Sequence, residues 1–297
     1  MPAPAYRCAV TFRVGAAALA LLTAAALAGC ARTVYRTSVV ELVNGPVKRV
    51  VTLVPSIAED LFAIGAGGDV VGVSAFSDYP PAARKLPRVA GFASISTERI
   101  VALHPDLVVG IVAQDRLVGD LRRAKVQTML LHDDSYDDIF SNLLTLGVVT
   151  DHARDAAGFV RRLHARTAAI QQSVKPRKRK PSVFVVLGTS PIFTVGKGSY
   201  IDTLIAMAGG SNAANDVAAP YARYSAESLL ARQPDVLIAD PTIHLDDVLG
   251  QPPWSALRAV REHHLYVLPD AAILERPGPR YNDGLAWLVA TLAHVPT

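Results

Sequence analysis

Cysteine is almost absent from this chain: Cys8 and Cys30 are the only two among 297 residues. Beyond residue 30 there is therefore no disulfide, no thiolate metal site and no thiol catalysis to consider. Acidic residues are missing altogether before Cys30, where Arg7 and Arg13 are the only charged side chains. A run able to span a bilayer is missing too, because the apolar stretch 14–28 falls short of the roughly 20 residues a stable spanning helix needs. Several enzyme motifs are also lacking. No Gly-x-Ser-x-Gly occurs, since Gly188-Thr-Ser190-Pro has no second Gly. Lys197 is followed by Gly instead of the Ser or Thr of a phosphate loop, and Gly65-Ala-Gly67-Gly68 closes a helix instead of opening one.

What the N-terminus does contain is a basic start, an apolar run and the small residues Ala28 and Gly29. Together these read as a cleaved export signal over 1–29. Leu27-Ala28-Gly29-Cys30 resembles the bacterial lipobox, which implies that Cys30 becomes the first mature residue and carries a lipid. Residues 30–47 then form a tether outside the cytoplasm, periplasmic or on the cell surface, and the membrane is reached through the lipid. Without Arg7 and Arg13, the 30 basic residues fall to 28 against 26 acidic ones. A nearly neutral domain gives no reason to expect nucleic acid as a partner. The run Lys175-Pro-Arg-Lys-Arg-Lys-Pro181 reads as a solvated helix end, where cations complement the dipole.

The remaining length suits two lobes, each with its own core. An internal repeat supports that division. Ser96-Thr-Glu98-Arg-Ile-Val-Ala102-Leu-His-Pro105-Asp106-Leu-Val-Val109 aligns without gaps on Ser225-Ala-Glu227-Ser-Leu-Leu-Ala231-Arg-Gln-Pro234-Asp235-Val-Leu-Ile238. Five of the fourteen positions are identical, and five more exchange branched aliphatics. In each copy a Ser is placed to cap a helix, a Glu stands in its first turn and a Pro ends it. The apolar runs 107–112 and 236–239 that follow read as buried strands.

The fold class is thus α/β: two Rossmann-like lobes with parallel sheets, over 48–150 and 181–297. Between them, residues 151–174 carry an apolar stripe at helical spacing (Ala153, Ala156, Val160, Leu163, Thr167, Ile170, Val174). One long linker helix of about 36 Å is expected there, continued by the basic connection to 180. Such a rod predicts little hinge closure, with a ligand cleft between the lobes.

Several segments resemble the periplasmic cobalamin-binding proteins within the helical-backbone family of metal-chelate binding proteins. They are Arg49-Val-Val-Thr-Leu-Val-Pro55-Ser56, Gly72-Val-Ser-Ala-Phe-Ser77-Asp78-Tyr79-Pro80-Pro81, Glu98 to Val108, Pro191 to Lys197, and Leu274-Glu275-Arg276-Pro-Gly-Pro279-Arg280. The resemblance implies reversible capture of cobalamin or a similar metal chelate, with no enzymatic step, no cofactor and no metal held by the protein itself. Its implied ligand contacts are Pro55, Ser56, Tyr79, Phe92, Phe193, Tyr221, Asp270 and Arg276. The aromatics would supply flat faces, and Arg276 and Asp270 would meet the ligand's polar rim. Tyr221 and Phe92 stand where the family usually has Trp. Glu98 and Glu227, one per lobe, are implied to dock on the two permease subunits of an ABC importer with its ATPase subunits, from a monomeric binding protein.

Two alternatives stay open. The same scaffold can hold haem or a ferric siderophore, for which Tyr79 or Tyr221 could serve as an axial ligand. An enzyme using the interlobe cleft is the more distant reading. The acids Asp133, Asp134, Asp137 and Asp138 read as a helix start beginning at Ser135, not as a cation site.

Overall fold

Uninterrupted aliphatic runs set the positions of the strands. The computed structural model describes Val43 together with residues 46–91 and 93–296, all within one compact unit. The expected signal segment, Cys30 and Phe92 lie outside the described residues.

The first lobe runs β1 (Val50–Thr52), α1 (Pro55–Ala63), β2 (Val70–Ser74), β3 (Arg88–Ala90), α2 (Thr97–Ala102), β4 (Leu107–Ile111), α3 (Gly119–Arg123), β5 (Thr128–Leu131) and α4 (Tyr136–Val149). The helix α5 (Ala153–Gln172) leads to β6 (Ser182–Val186), β7 (Gly188–Thr189), β8 (Ile192–Val195), α6 (Tyr200–Met207), β9 (Ser211–Asn212) and β10 (Tyr221–Arg223). The chain ends with α7 (Ala226–Arg232), β11 (Val236–Ala239), α8 (Asp246–Leu249), α9 (Arg258–Arg261), β12 (Leu265–Val267), α10 (Ala272–Glu275) and α11 (Tyr281–Ala293).

Lobe one holds a five-stranded parallel sheet in the order β3-β2-β1-β4-β5. Lobe two holds a four-stranded parallel sheet, β12-β11-β6-β9. Strands β1, β5 and β11 are buried at every position, as parallel strands covered on both faces must be. The expected parallel sheets are present in both lobes, with one addition. Lobe two also carries a three-stranded antiparallel sheet, β10-β8-β7, which holds Phe193 and Tyr221. Pro191 cannot donate to a ladder, and the chain doubles back there as a hairpin instead of continuing from β6 as a parallel unit.

The repeated segments share more than their helices. Ser96 caps α2 by accepting from Arg99 N, and Ser225 caps α7 by accepting from Ser228 N. Each helix is then turned off by a residue with left-handed backbone, His104 at φ 44° and Gln233 at φ 43°, followed by Pro. Next in each copy comes an Asp that pins the neighbouring strand. Asp106 accepts from Lys48 N and Arg49 N, both at 2.8 Å, and Asp235 accepts from Ser182 N at 2.8 Å. The basic connection is partly consumed in structure: Arg179 pairs with Asp235, and Arg177 donates to Leu292 O and Val295 O at the end of α11.

The linker helix is shorter than its apolar stripe suggested. Asp151, at φ 62°, turns the chain out of α4, so α5 starts at Ala153 and its 20 residues span about 30 Å. Its buried residues are Ala156, Val160, Leu163 and Thr167. They face α4 on one side and α11 on the other, and so touch both lobes. At Gly147 the packing against α4 is close enough that an added Cβ would lie 2.4 Å from Ala156 Cβ.

A single apolar core joins the lobes through this layer. It runs from Val109 and Leu131 of the first sheet, through Leu143, Leu163 and Leu288, to Val185 and Ile238 of the second. Tyr136 and Tyr281 meet edge to face across the junction, with ring centroids 5.3 Å apart. Thr167 Oγ1 sits 2.6 Å from Tyr281 Oη and 3.0 Å from Asn282 Oδ1, while Asn282 Nδ2 donates to Leu163 O.

Thr167→Val keeps the shape of the side chain and removes the hydroxyl that links α5 to α11. Stability is expected to fall by about 1–3 kcal/mol, because buried polar partners are left unmatched. Thermal unfolding checks this, with a Tm lowered by about 2–4 °C per kcal/mol for a domain of this size; an unchanged Tm contradicts it.

Candidate functional site: the cleft between the lobes

Parallel sheets bind ligands beyond the carboxyl ends of their strands. A cavity of about 590 Å³ lies there. One wall belongs to lobe one: Leu53 to Ser56 after β1, Phe76 after β2, Ile111 and Gln114 after β4, and Asp133 after β5. The facing wall belongs to lobe two, where Glu275, Arg276 and Pro277 follow from the end of α10. Pro55 stands in the first turn of α1, where its missing N–H costs nothing and its fixed φ suits the helix. The N-cap Val54 makes no side-chain capping bond.

The lobes are tied across this cleft by Arg276. Its Nη1 donates to Glu59 Oε1 at 2.9 Å and to Asp78 Oδ1 at 2.6 Å, and its Nη2 donates to Phe76 O at 3.1 Å. Glu59 is only 2% exposed. Burial pushes its carboxyl above the ordinary range, and Arg276 offsets that only in part. Partial burial works the same way on Asp78, but Arg276 prevails there and holds the carboxyl below its usual value. Asp60, the next residue on α1, is fully buried and pushed far up, first by burial and then by the charge of Glu59.

Two further carboxyl groups line the cavity itself. Burial, followed by the neighbouring Asp134 and Asp138, raises Asp133 to about 7. Burial and the adjoining Asp240 raise Glu275 to about 8.

Among the ligand contacts implied by the sequence, Pro55, Ser56 and Arg276 line this cavity. Arg276, expected at the ligand's rim, directs its donors to Glu59, Asp78 and Phe76 instead. Tyr79 lines a separate hollow of about 340 Å³ with Phe62 and Phe159, its ring 4.4 Å beneath the Arg280 guanidinium. Asp270 accepts from Arg280 Nη2 at 2.6 Å and from Ala272 N at 2.9 Å, so it steadies the start of α10 and is absent from the cavity wall. Phe193 is half-buried in its hairpin and lies outside the wall. Tyr221 is partly buried against the shared core, and burial first, then the charges of Asp133, Asp134 and Glu275, raise its phenol.

Phe76, Gln114, Asp133 and Glu275 were not anticipated as wall residues. Phe76 and Glu275 fall inside segments that carried the family resemblance, whereas Asp133 had been absorbed into a helix start. That helix start is present as well: Ser135 and Asp138 cap α4 reciprocally. Glu98 and Glu227 are exposed in the first turns of α2 and α7.

Residues 50–272 match the model of the periplasmic binding protein family. The chain belongs to that family. It is 35% identical over 215 residues to the vitamin B12-binding protein of Salmonella paratyphi A, covering 70% of this chain and 80% of the relative. An uncharacterized ABC transporter substrate-binding lipoprotein of Bacillus subtilis is 25% identical over 307 residues, covering 94% of this chain and 97% of its own length. In three dimensions the apo periplasmic haem-binding protein of Roseiflexus superposes with a TM-score of 0.74 at 28% identity, covering 84% of this chain and 98% of that one. Members of the periplasmic binding protein family work outside the cytoplasm, and the relatives named here are binding proteins.

Removing the interlobe guanidinium leaves Glu59 buried without its cation. Arg276→Met is expected to destabilise the protein by about 3–5 kcal/mol at pH 8. The loss should shrink at pH 5, because the carboxyl, already raised by burial, then takes up a proton and no longer needs a partner. Urea unfolding at the two pH values checks this; an equal loss at both contradicts it.

Proposed function

We propose that this chain is the substrate-binding component of an ABC importer that captures cobalamin or a related corrinoid outside the cytoplasm. It delivers the ligand to a permease dimer driven by separate ATPase subunits. A lipid on Cys30 holds it, as a monomer, at the outer face of the membrane. The observation that carries this reading is a largely apolar crevice at the strand ends, walled by both lobes, in a chain 35% identical to a vitamin B12-binding protein.

Physical chemistry supports a flat, amide-edged guest. Leu53, Val54, Phe76, Ile111 and Leu117 offer apolar surface, and burial of such surface is worth roughly 25 cal/mol per Å². Polar groups are few and stand at defined places in the wall. Haem is the second reading, favoured by the likeness to the Roseiflexus protein. Against it, the described residues of the cavity wall include no His, Tyr, Cys or Met to ligate an iron. Tyr79, the exposed candidate for that role, is stacked under Arg280 beside the other hollow.

Because the lobes share one core, capture proceeds with little relative movement, and the ligand enters a cleft that is already formed. Glu98 and Glu227 present one carboxylate from each half, which suits a partner built of two related subunits. In this reading, cleft chemistry and transporter docking are separate properties of the molecule.

Calorimetric titration of the purified protein with cyanocobalamin is expected to give a Kd tighter than about 1 µM, or about −8 kcal/mol. Tight binding of haem with no response to corrinoids would sink the corrinoid reading. The paired change Glu98→Ala with Glu227→Ala is expected to abolish ATP-driven uptake in reconstituted vesicles while leaving the calorimetric Kd unchanged. Weakened ligand binding in that variant would show the docking role to be misassigned.

A further inference from the structure

The cavity wall holds four residues that can carry charge: Arg116, Asp133, Glu275 and Arg276. They are not equally available to a ligand. Arg276 is consumed by Glu59, Asp78 and Phe76 O. Arg116 is exposed to solvent, where water screens it. Asp133 and Glu275 remain, one from each lobe.

Neither of these carboxyl groups has a cation of its own. Asp133 follows β5 and is faced by Asp134, by Asp138 at the start of α4 and by Tyr221 from β10. Glu275 ends α10 beside Asp240, Arg276 and Tyr221, and Arg276 is already engaged elsewhere. Asp240 itself accepts from the backbone N–H and the hydroxyl of Thr242. Glu275 Oε1 is buried and has no hydrogen-bond partner among the described residues.

We infer that Asp133 and Glu275 set the charge selectivity of the cleft, admitting chelates edged with amides or of zero or positive charge and excluding chelates edged with carboxylates. This rests on the corrinoid reading above and names the feature of the ligand that the cleft recognises. A protonated carboxyl donates to an amide carbonyl, and an ionised one accepts from an amide N–H, so an amide edge is matched in either state. A ligand carboxylate can be accommodated only by sharing a proton. Once both groups ionise, it meets two like charges in a site poor in water, where such juxtaposition costs several kcal/mol. Discrimination therefore grows with pH, across the range around 7 to 8 in which the two groups lose their protons.

The test compares two probes by calorimetry on the purified full chain in detergent: cyanocobalamin, and the same molecule with one propionamide hydrolysed to the carboxylate. At pH 8.5 the carboxylate probe is expected to bind at least about tenfold more weakly, and the gap should narrow towards pH 6. In the near-isosteric double variant Asp133→Asn with Glu275→Gln, checked for native circular dichroism, the amide probe weakens and the carboxylate probe strengthens. Their ratio then approaches one at every pH. A ratio independent of pH, or one unchanged by the double variant, overturns the inference. If neither corrinoid binds, the corrinoid reading fails on its own account. Charge selectivity is then read from cationic ferrioxamine B against dianionic haem at pH 8.5. Retention of the cation alone, with haem admitted by the variant, supports the inference. Haem binding by the unaltered protein overturns it, and a chain that takes none of the four probes overturns both readings.

Discussion

Glu59 is a carboxylate placed where water cannot reach it, and the group that makes this tolerable comes from the other lobe. An unpaired ion at that depth costs several kcal/mol. Arg276 offsets part of that cost, and in the same stroke it fixes Asp78 and the backbone at Phe76. This guanidinium is thus one of the contacts that register the two halves to each other. Asp60, one position along α1, has no such visitor; burial first, and then the charge of Glu59, push its carboxyl far up.

Around this polar tie, apolar packing supplies the stiffness. The helices α4, α5 and α11 form a layer that belongs to both lobes, and the aromatic contact of Tyr136 with Tyr281 closes it from behind. A cleft whose walls are braced in this way does not need to shut on its ligand. Its selectivity has to come from the shape and chemistry of walls already in place, which is why the protonation of individual side chains carries so much weight here.

Much of this architecture was legible in the residues. The Ser-x-Glu starts and the aliphatic runs of the repeat placed the starts of α2 and α7 and the strands β4 and β11 to within a residue, because caps and strand burial are local physics. The left-handed His104 and Gln233 were not legible, since neither residue type announces that conformation as Gly would. The pinning roles of Asp106 and Asp235 were hidden for a different reason: their partners lie 58 and 53 residues away in the chain. The hairpin at Pro191 was not legible, because aliphatic content does not distinguish parallel from antiparallel neighbours. The site was the least legible part. Aromatic residue type marked Tyr79 and Phe193 as candidates, yet which way a ring faces is settled by distant contacts such as Arg280 over Tyr79. The acids of the cavity were overlooked because burial, which gives them their character, has no sequence signature.

The left-handed turn at Asp151 is the point where one ancestral unit gives way to the next, but it is no longer a seam. Cutting the backbone there would divide a continuous interior instead of separating two finished bodies. Leu143 and Leu146 on one side, and Leu163, Leu285 and Leu288 on the other, would each lose their neighbours to solvent. Fragments so produced would carry complementary sticky faces, suited to reassembly with each other and prone to precipitation when alone. The repeated halves share one interior, so each supplies part of the packing that the other needs.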